Sequence, residues 1–258
     1  MNTVDFITNL FCNVDDEMPD AKKHSQANLY PSEVVTIAIL FALKGVGNRA
    51  FYRWLQRDYL ALFPHLPHRT RLFRLFNTHR EWTKYFMAHP TLIGLMDTYG
   101  IELIHPRREG RSPQQIGKKG LSNKRWIVGG KLCFVLNHLG LIVDTANVWD
   151  GSAFQEVAER NLPYMVVFAD DGFVKKDWRP ENLKICKPGE WNTRMIVETV
   201  LSMLTLVCHF KKIMHRTWDY FKTRLAFTMA MFNILVQWHG IQVDDDGCIH
   251  FSIAEFSL

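Results

Sequence analysis

Two short apolar runs, Leu92-Ile93-Gly94-Leu95-Met96 and Met165-Val166-Val167-Phe168-Ala169, each end on an aspartate, Asp97 and Asp170. Runs this short, unbroken by polar residues, predict buried strands. Between the runs lie two further strand-like segments, Trp126 to Leu136 and Leu141 to Val148. They flank the turn Asn137-His138-Leu139-Gly140 and predict a hairpin. Ser152 to Asn161 reads as a short helix, and two long helices follow, Asn192 to Cys208 and Thr217 to Trp238. The tail from Ile241 carries a turn, Asp244 to Gly247, between two short edge segments. The order of strand, hairpin, helix, strand and helices predicts an α/β or α+β core with an antiparallel edge, read here as α/β with a mixed sheet flanked by helices.

The first 90 residues show no strand alternation. Pro31-Ser32-Glu33 opens an apolar helix that stops at Gly45-Val46-Gly47-Asn48. Helices over Arg49 to Leu62 and Thr70 to Phe86 complete an all-helical unit, closed by His89-Pro90. The expected division is a helical domain over 1–90 and an α/β domain over 91–258. The apolar share of 47% is too high for disorder. The longest apolar run, Val34 to Leu43, is too short to span a bilayer. Acidic residues near the N-terminus, Asp5 and Asp15 to Glu17, do not suit a signal peptide. Five widely spaced cysteines with no Cys-x-x-Cys pair suit a reducing compartment and no disulfide framework.

The net charge is only +5, but it is concentrated. Arg49 to Arg80 holds seven arginines (49, 53, 57, 69, 71, 74, 80) and one acid, Asp58. His105 to Arg125 holds Arg107, Arg108, Arg111, Lys118, Lys119, Lys124 and Arg125 against Glu109 alone. His209 to Arg224 adds Lys211, Lys212, Arg216, Lys222 and Arg224 against Asp219. Arg49, Arg53 and Arg57 recur every four residues and so share one helix stripe. Phe51, Tyr52, Trp54 and Tyr59 are interleaved with them. Basic stripes with aromatics are the electrostatic footprint of a nucleic-acid binder. A solvated helix face and a flexible basic loop are the plainer readings of the same residues.

Acids at strand ends in an α/β core sit at the lip of a crevice. A third acid, Glu198, lies in a markedly apolar helix, on a polar stripe with Arg194, Thr205 and His209. Clustered carboxylates suit hard divalent cations, and two such ions serve in-line phosphoryl transfer. The same spacing also suits Glu198 paired with Arg194 and aspartates that cap turns. Gly45 to Ala50 fits a Gly-x-Gly-x-x-Ala pattern, but it follows a helix and not a strand. His65 and His68 lack nearby partners for a metal. Ser152 lacks the context of a nucleophile elbow.

These residues resemble a family, the DDE transposases of bacterial insertion sequences. The resemblance covers most of the chain. It is carried by Leu95-Met96-Asp97-Thr98, Gly129-Gly130-Lys131-Leu132, Ala169-Asp170-Asp171-Gly172-Phe173 and Trp191 to Lys212. Around the third acid, Trp191, Arg194 and Glu198 fit a Tyr, Arg, Glu, basic-residue signature, with Trp for Tyr and Thr205 in the basic position. The resemblance implies a ribonuclease-H-like fold with Asp97 on its first strand and Asp170 on its fourth. It implies catalytic and metal-binding roles for Asp97, Asp170 and Glu198, two Mg²⁺ ions with Mn²⁺ as a substitute, and a cytoplasmic, nucleoid-associated bacterial enzyme. Water would cut DNA at the element's ends, and the 3′-hydroxyls would then attack target DNA. The partners would be double-stranded DNA, at the terminal inverted repeats and the target, and a second copy of the chain. The DNA contacts expected are Arg49, Arg53, Arg57, Arg69, Arg71, Arg107, Arg108, Arg111, Lys118, Lys119, Lys124, Arg125, Arg194, Lys211 and Lys212. A nuclease or resolvase without strand joining, and a decayed DNA-binding protein, are the competing expectations.

Overall fold

The structure is a computed structural model. It describes residues 2–122, 125–147, 153–173, 177–178, 180–186, 194–210, 213, 215, 217–240, 242–243, 245–246, 249–250 and 252–256. The chain forms a mixed α/β fold, a mixed sheet flanked by helices.

Helices α1 (Thr3–Asp16), α2 (Pro31–Lys44), α3 (Asn48–Asp58) and α4 (Arg69–Thr78) come first. Pro31 and Glu33 start α2 as expected, with the Glu33 carboxylate accepting from the Tyr30 backbone N–H at 2.6 Å. Gly45 ends α2 in the left-handed region, φ 66°. A Cβ there would lie 2.3 Å from the His209 ring, so glycine is required twice over. The helix expected over Thr70 to Phe86 is instead α4 followed by a 3-10 segment, Arg80–Phe86. The Thr78 hydroxyl bonds the Arg74 carbonyl near this break. Helix α3 stops at Asp58, short of Leu62, and turns close the segment before Pro64.

The main sheet follows the order β2 (Lys118–Ser122), β3 (Arg125–Asn137), β1 (Ile93–Ile104), β5 (Val166–Ala169), β6 (Leu183–Ile185), with β4 (Ile142–Asn147) also on the outer edge of β3. Strands β1, β3 and β4 pair antiparallel in succession, and β2 pairs antiparallel with β3. Strands β5 and β6 run parallel to β1. The β3–β4 hairpin turns where the sequence places it, with Asn137 Oδ1 accepting from the Leu139 and Leu141 backbones, both at 3.0 Å. Two expectations need correction. Strand β1 does not end at Met96 but runs through Asp97 to Ile104, because Tyr99, Ile101 and Leu103 keep one apolar face buried. The stretch from His105 to Arg125 is not all loop, since Lys118 to Ser122 pair with β3.

The sheet's two faces carry separate apolar cores. Helix α5 (Ala153–Asn161) covers one, packing Phe154, Val157 and Ala158 on Met96, Cys133, Val135 and Val167. The other face carries Leu95, Tyr99, Ile101, Leu132 and Phe134. Over it lie α6 (Arg194–Leu206), α7 (Trp218–His239) and the N-terminal helices, in one continuous apolar cluster. Asn233 of α7 is fully buried within this layer. Its amide donates to the carbonyls of Phe86 and Ile142 at 2.9 and 2.8 Å and accepts from the Ile142 N–H at 2.8 Å. Arg224, also buried, donates to the carbonyls of Phe41 and Ala42 at the end of α2, at 2.5 and 2.9 Å. A helix C-terminus leaves its carbonyls orphaned and partly negative, which suits a buried cation. A two-stranded sheet of β7 (Gln242–Val243) and β8 (Ile249–His250) matches the expected tail hairpin. No single helix among the described residues is long and apolar enough to cross a membrane.

Candidate active site and nucleic-acid interface

The first two acids lie just past the end of one ladder. Leu95 and Phe168 are the last pair of the parallel β1–β5 ladder. Asp97 stands two residues further along β1, and Asp170 directly follows β5, which ends at Ala169; the same register, continued, would set them level. Neighbouring strands lie about 4.8 Å apart, and laterally paired residues point to the same face. Asp97 accepts from the Thr98 N–H at 2.6 Å, and Asp170 from the Gly172 N–H at 3.0 Å. Both aspartates are half-buried. The turn after β5 explains Gly172, where a Cβ would meet Asp170 Oδ1 at 3.1 Å. Across β1's other edge, Asp97 pairs with Phe134. Burial, and then the negative charges of Asp97 and Asp144, push the neighbouring Cys133 thiol's pKa up, so that cysteine stays protonated.

The third acid sits on α6, whose packing against β1 is fixed by one polar contact. The Tyr99 hydroxyl lies 2.5 Å from the Thr205 hydroxyl. Thr205 donates to the Leu201 carbonyl at 2.7 Å. The single Thr205 proton is thereby used, and Tyr99 is the donor of the pair. Burial raises the Tyr99 pKa, while the Thr205 contact opposes that shift. Glu198 lies on the same stripe as Thr205, two turns toward the N-terminus, roughly 10 Å along the axis. Its side chain is exposed and lines a groove with Met195, Thr199, Ser202 and Leu206, against Ser252 and Ala254. Among the described residues no three of the His, Cys, Asp and Glu side chains stand close enough together to hold a metal ion. The donor set of Asp97 and Asp170 still suits a hard cation, as two carboxylates near the same end of adjacent strands. The polar stripe expected through His209 is cut short, because α6 ends at Leu206 and His209 takes φ 51°.

The basic residues divide. Arg49, Arg53 and Arg57 lie on the exposed face of α3, opposite buried Phe51 and Leu55. Arg57 forms a two-pronged pair with Asp58, at 2.6 and 2.7 Å. That pairing holds the Asp58 carboxyl below its usual range. The interleaved aromatics do not face solvent with the arginines. Trp54 packs on Phe51 and Tyr59 beneath Lys44, and Tyr52 donates to the Pro67 carbonyl at 3.1 Å. Arg69, half-buried, opens α4, and Arg71 is exposed on it. Arg107 and Arg108 are exposed on a 3-10 turn, with Arg111 exposed just beyond. Lys118, Lys119 and Arg125 lie exposed on the β2–β3 ribbon. Lys119 pairs with Glu109 at 3.2 Å, and Arg125 with buried Glu102 at 2.8 Å. Arg194 is the first residue of α6. Lys124, Lys211 and Lys212 lie outside the described residues.

Two functional features escape the sequence reading, the ribbon formed by β2 and the buried acid Glu102 that ties Arg125 to β1. The signal for the first is the cluster of Gly117, Gly120, Gly129 and Gly130 around alternating residues. No family model, curated protein or solved structure matches the chain.

Proposed function

We propose that the chain is an insertion-sequence transposase with a ribonuclease-H-like core, cutting DNA at element ends and joining the 3′ ends to target DNA. The observation that carries this reading is the parallel β1–β5 ladder, whose last pair, Leu95 with Phe168, lies two residues before Asp97 on one side and two before Asp170 on the other. The antiparallel β1, β3 and β4, flanked by parallel β5 and β6, are the strand arrangement such a core requires. Asp97 and Asp170 would hold the Mg²⁺ ions, with Glu198 as the third ligand. Its exposed side chain reorients at little cost from a stripe that already meets β1 at Thr205. Bound ions of this kind stabilise the attacking and leaving oxygens of an in-line displacement. The exposed arginines and lysines of α3, the 106–111 turn and the ribbon bind the phosphate backbone and hold the scissile bond over the two aspartates.

The test is cleavage and strand transfer on element-end DNA with Mg²⁺. Asp97→Ala, Asp170→Ala and Glu198→Ala should each abolish cleavage while DNA binding stays within about twofold. Cleavage that survives any one substitution removes that residue from the site. A second reading, a DNA-binding protein without catalysis, draws on Thr205, which stands where a basic residue would meet phosphate and is engaged by Tyr99. Binding to DNA with no cleavage of any end substrate would favour it. Cleavage without joining of pre-cut ends would indicate a nuclease.

A further inference from the structure

The β2–β3 ribbon is more than a set of surface cations. Leu121 and Trp126 face each other across it, one residue pair inside the pair Ser122 and Arg125. They are 60% and 57% exposed, unusual for large apolar side chains paired within a sheet. Adjacent residues alternate faces, so Arg125 lies on the ribbon's other side from Trp126. There it pairs with the Glu102 carboxylate, whose side chain is only 6% exposed. That pair ties the back of the ribbon to β1. The base of the ribbon is equally fixed. A Cβ on Gly129 would lie 1.9 Å from the Ile101 carbonyl, and one on Gly117 would lie 2.5 Å from the Gly129 carbonyl. The three backbones touch where only glycine fits.

The free face thus presents a flat indole and a leucine, with the Lys119 ammonium 5.6 Å from the indole centroid. Lys118 and the exposed Arg107, Arg108 and Arg111 lie near in sequence. A wedge that pries open base steps projects from a tip; this pair lies on the flat of the ribbon and forms a platform. Platforms of aromatic side chains beside cations are how proteins hold unpaired bases, which stack on them with little regard to sequence. Strand β3 alternates without a bulge from Trp126 to Phe134, the residue opposite Asp97. Trp126 therefore shares the sheet face of Asp97, eight residues along, roughly 25 Å away.

We infer that the Leu121–Trp126 face of the ribbon is a stacking platform for unpaired bases of DNA flanking the bond held at Asp97. The placement relative to the bond rests on the proposed function; the binding does not.

The test uses the full chain in EDTA, so that no cleavage intervenes. Anisotropy is measured with two labelled duplexes of one sequence, one blunt and one carrying a five-nucleotide single-stranded tail. Trp126→Ala and Leu121→Ser should each weaken binding to the tailed duplex, the former about tenfold, while the blunt duplex changes by less than twofold. Trp126→Phe should keep most of the tail preference. A wild-type protein that binds both duplexes, with tailed binding unchanged in Trp126→Ala, overturns the platform and leaves the proposed function standing. Equal weakening on both duplexes overturns it too. Wild-type protein that binds neither duplex overturns the platform and the proposed function together.

Discussion

Tyr99 of β1 and Thr205 of α6 are joined by a 2.5 Å hydrogen bond between their hydroxyls, two residues beyond Asp97 and seven beyond Glu198. This polar contact, with the apolar packing around it, helps set the height of the glutamate helix against the aspartate strand. Thr205→Val keeps the branched shape but removes the acceptor, leaving a buried phenol unsatisfied. The expected loss is about 1–2 kcal/mol in urea unfolding, with cleavage falling further than stability accounts for. Thr205→Ser should restore both. A Tyr99→Phe, Thr205→Val double mutant no worse than either single mutant would confirm the coupling.

Carboxylates set side by side repel, and a cation relieves that repulsion. Asp97→Asn should therefore raise the melting temperature of the metal-free protein slightly. Millimolar Mg²⁺ should raise that of the wild type and leave the variant unmoved. Thermal melts with and without Mg²⁺ check both halves. A wild-type melting temperature indifferent to Mg²⁺ and Mn²⁺ would argue against an ion at this pair.

The arginine stripe of α3 is not uniform, since Arg57 is engaged by Asp58 while Arg49 and Arg53 are exposed. Replacing Arg49 and Arg53 with Ala should reduce the slope of log affinity against log salt by roughly two units. Adding Arg57→Ala should change it by less than one more. Binding titrations on duplex DNA at several salt concentrations make the comparison.

His215 titrates against the fold. Burial, reinforced by the Arg224 charge, lowers its pKa from the usual 6.5 to about 4. Between those values the unfolded chain binds the proton and the folded chain does not, so stability falls as pH drops through that window. The loss reaches up to about 3 kcal/mol by pH 4. His215→Asn should flatten this part of the stability profile, measured by denaturant unfolding from pH 7 to 4.

Asn233→Leu would strand the Ile142 N–H and the Phe86 carbonyl in a dry core. A loss of about 3 kcal/mol or more is expected in chemical unfolding, with Asn233→Asp little better, since a carboxylate cannot donate to the two carbonyls.

The strands beside the aspartates are legible because each is a short apolar run, α2 because Pro31-Ser32-Glu33 opens a long apolar run that Gly45 closes, and α6 because a narrow polar stripe interrupts its apolar positions. The far half of β1 is hard to see in the sequence because the alternation of Tyr99, Ile101 and Leu103 follows a more conspicuous apolar run, Leu92 to Met96. Strand β2 is hidden for a different reason. Its side chains are mostly polar and exposed, and what fixes it is backbone contact at Gly117 and Gly129, which leaves no hydrophobic pattern. The orientation of the α3 aromatics is not written in the sequence. Arg49 and Arg53 point outward, while Trp54 and Tyr52 fold back onto neighbouring turns, which residue type alone does not reveal. That β1 and β5 are neighbours is likewise absent from local sequence, because strand order is not encoded there.

The unbroken apolar cluster joining α1–α4 to α6, α7 and the sheet has a practical corollary. A cut after Pro90 would tear one interior in two, and each fragment would carry a raw greasy wall prone to clumping. Among the described residues the two halves share that interior. If the α3 arginines and the two aspartates handle the same double helix, this common interior holds the span between them.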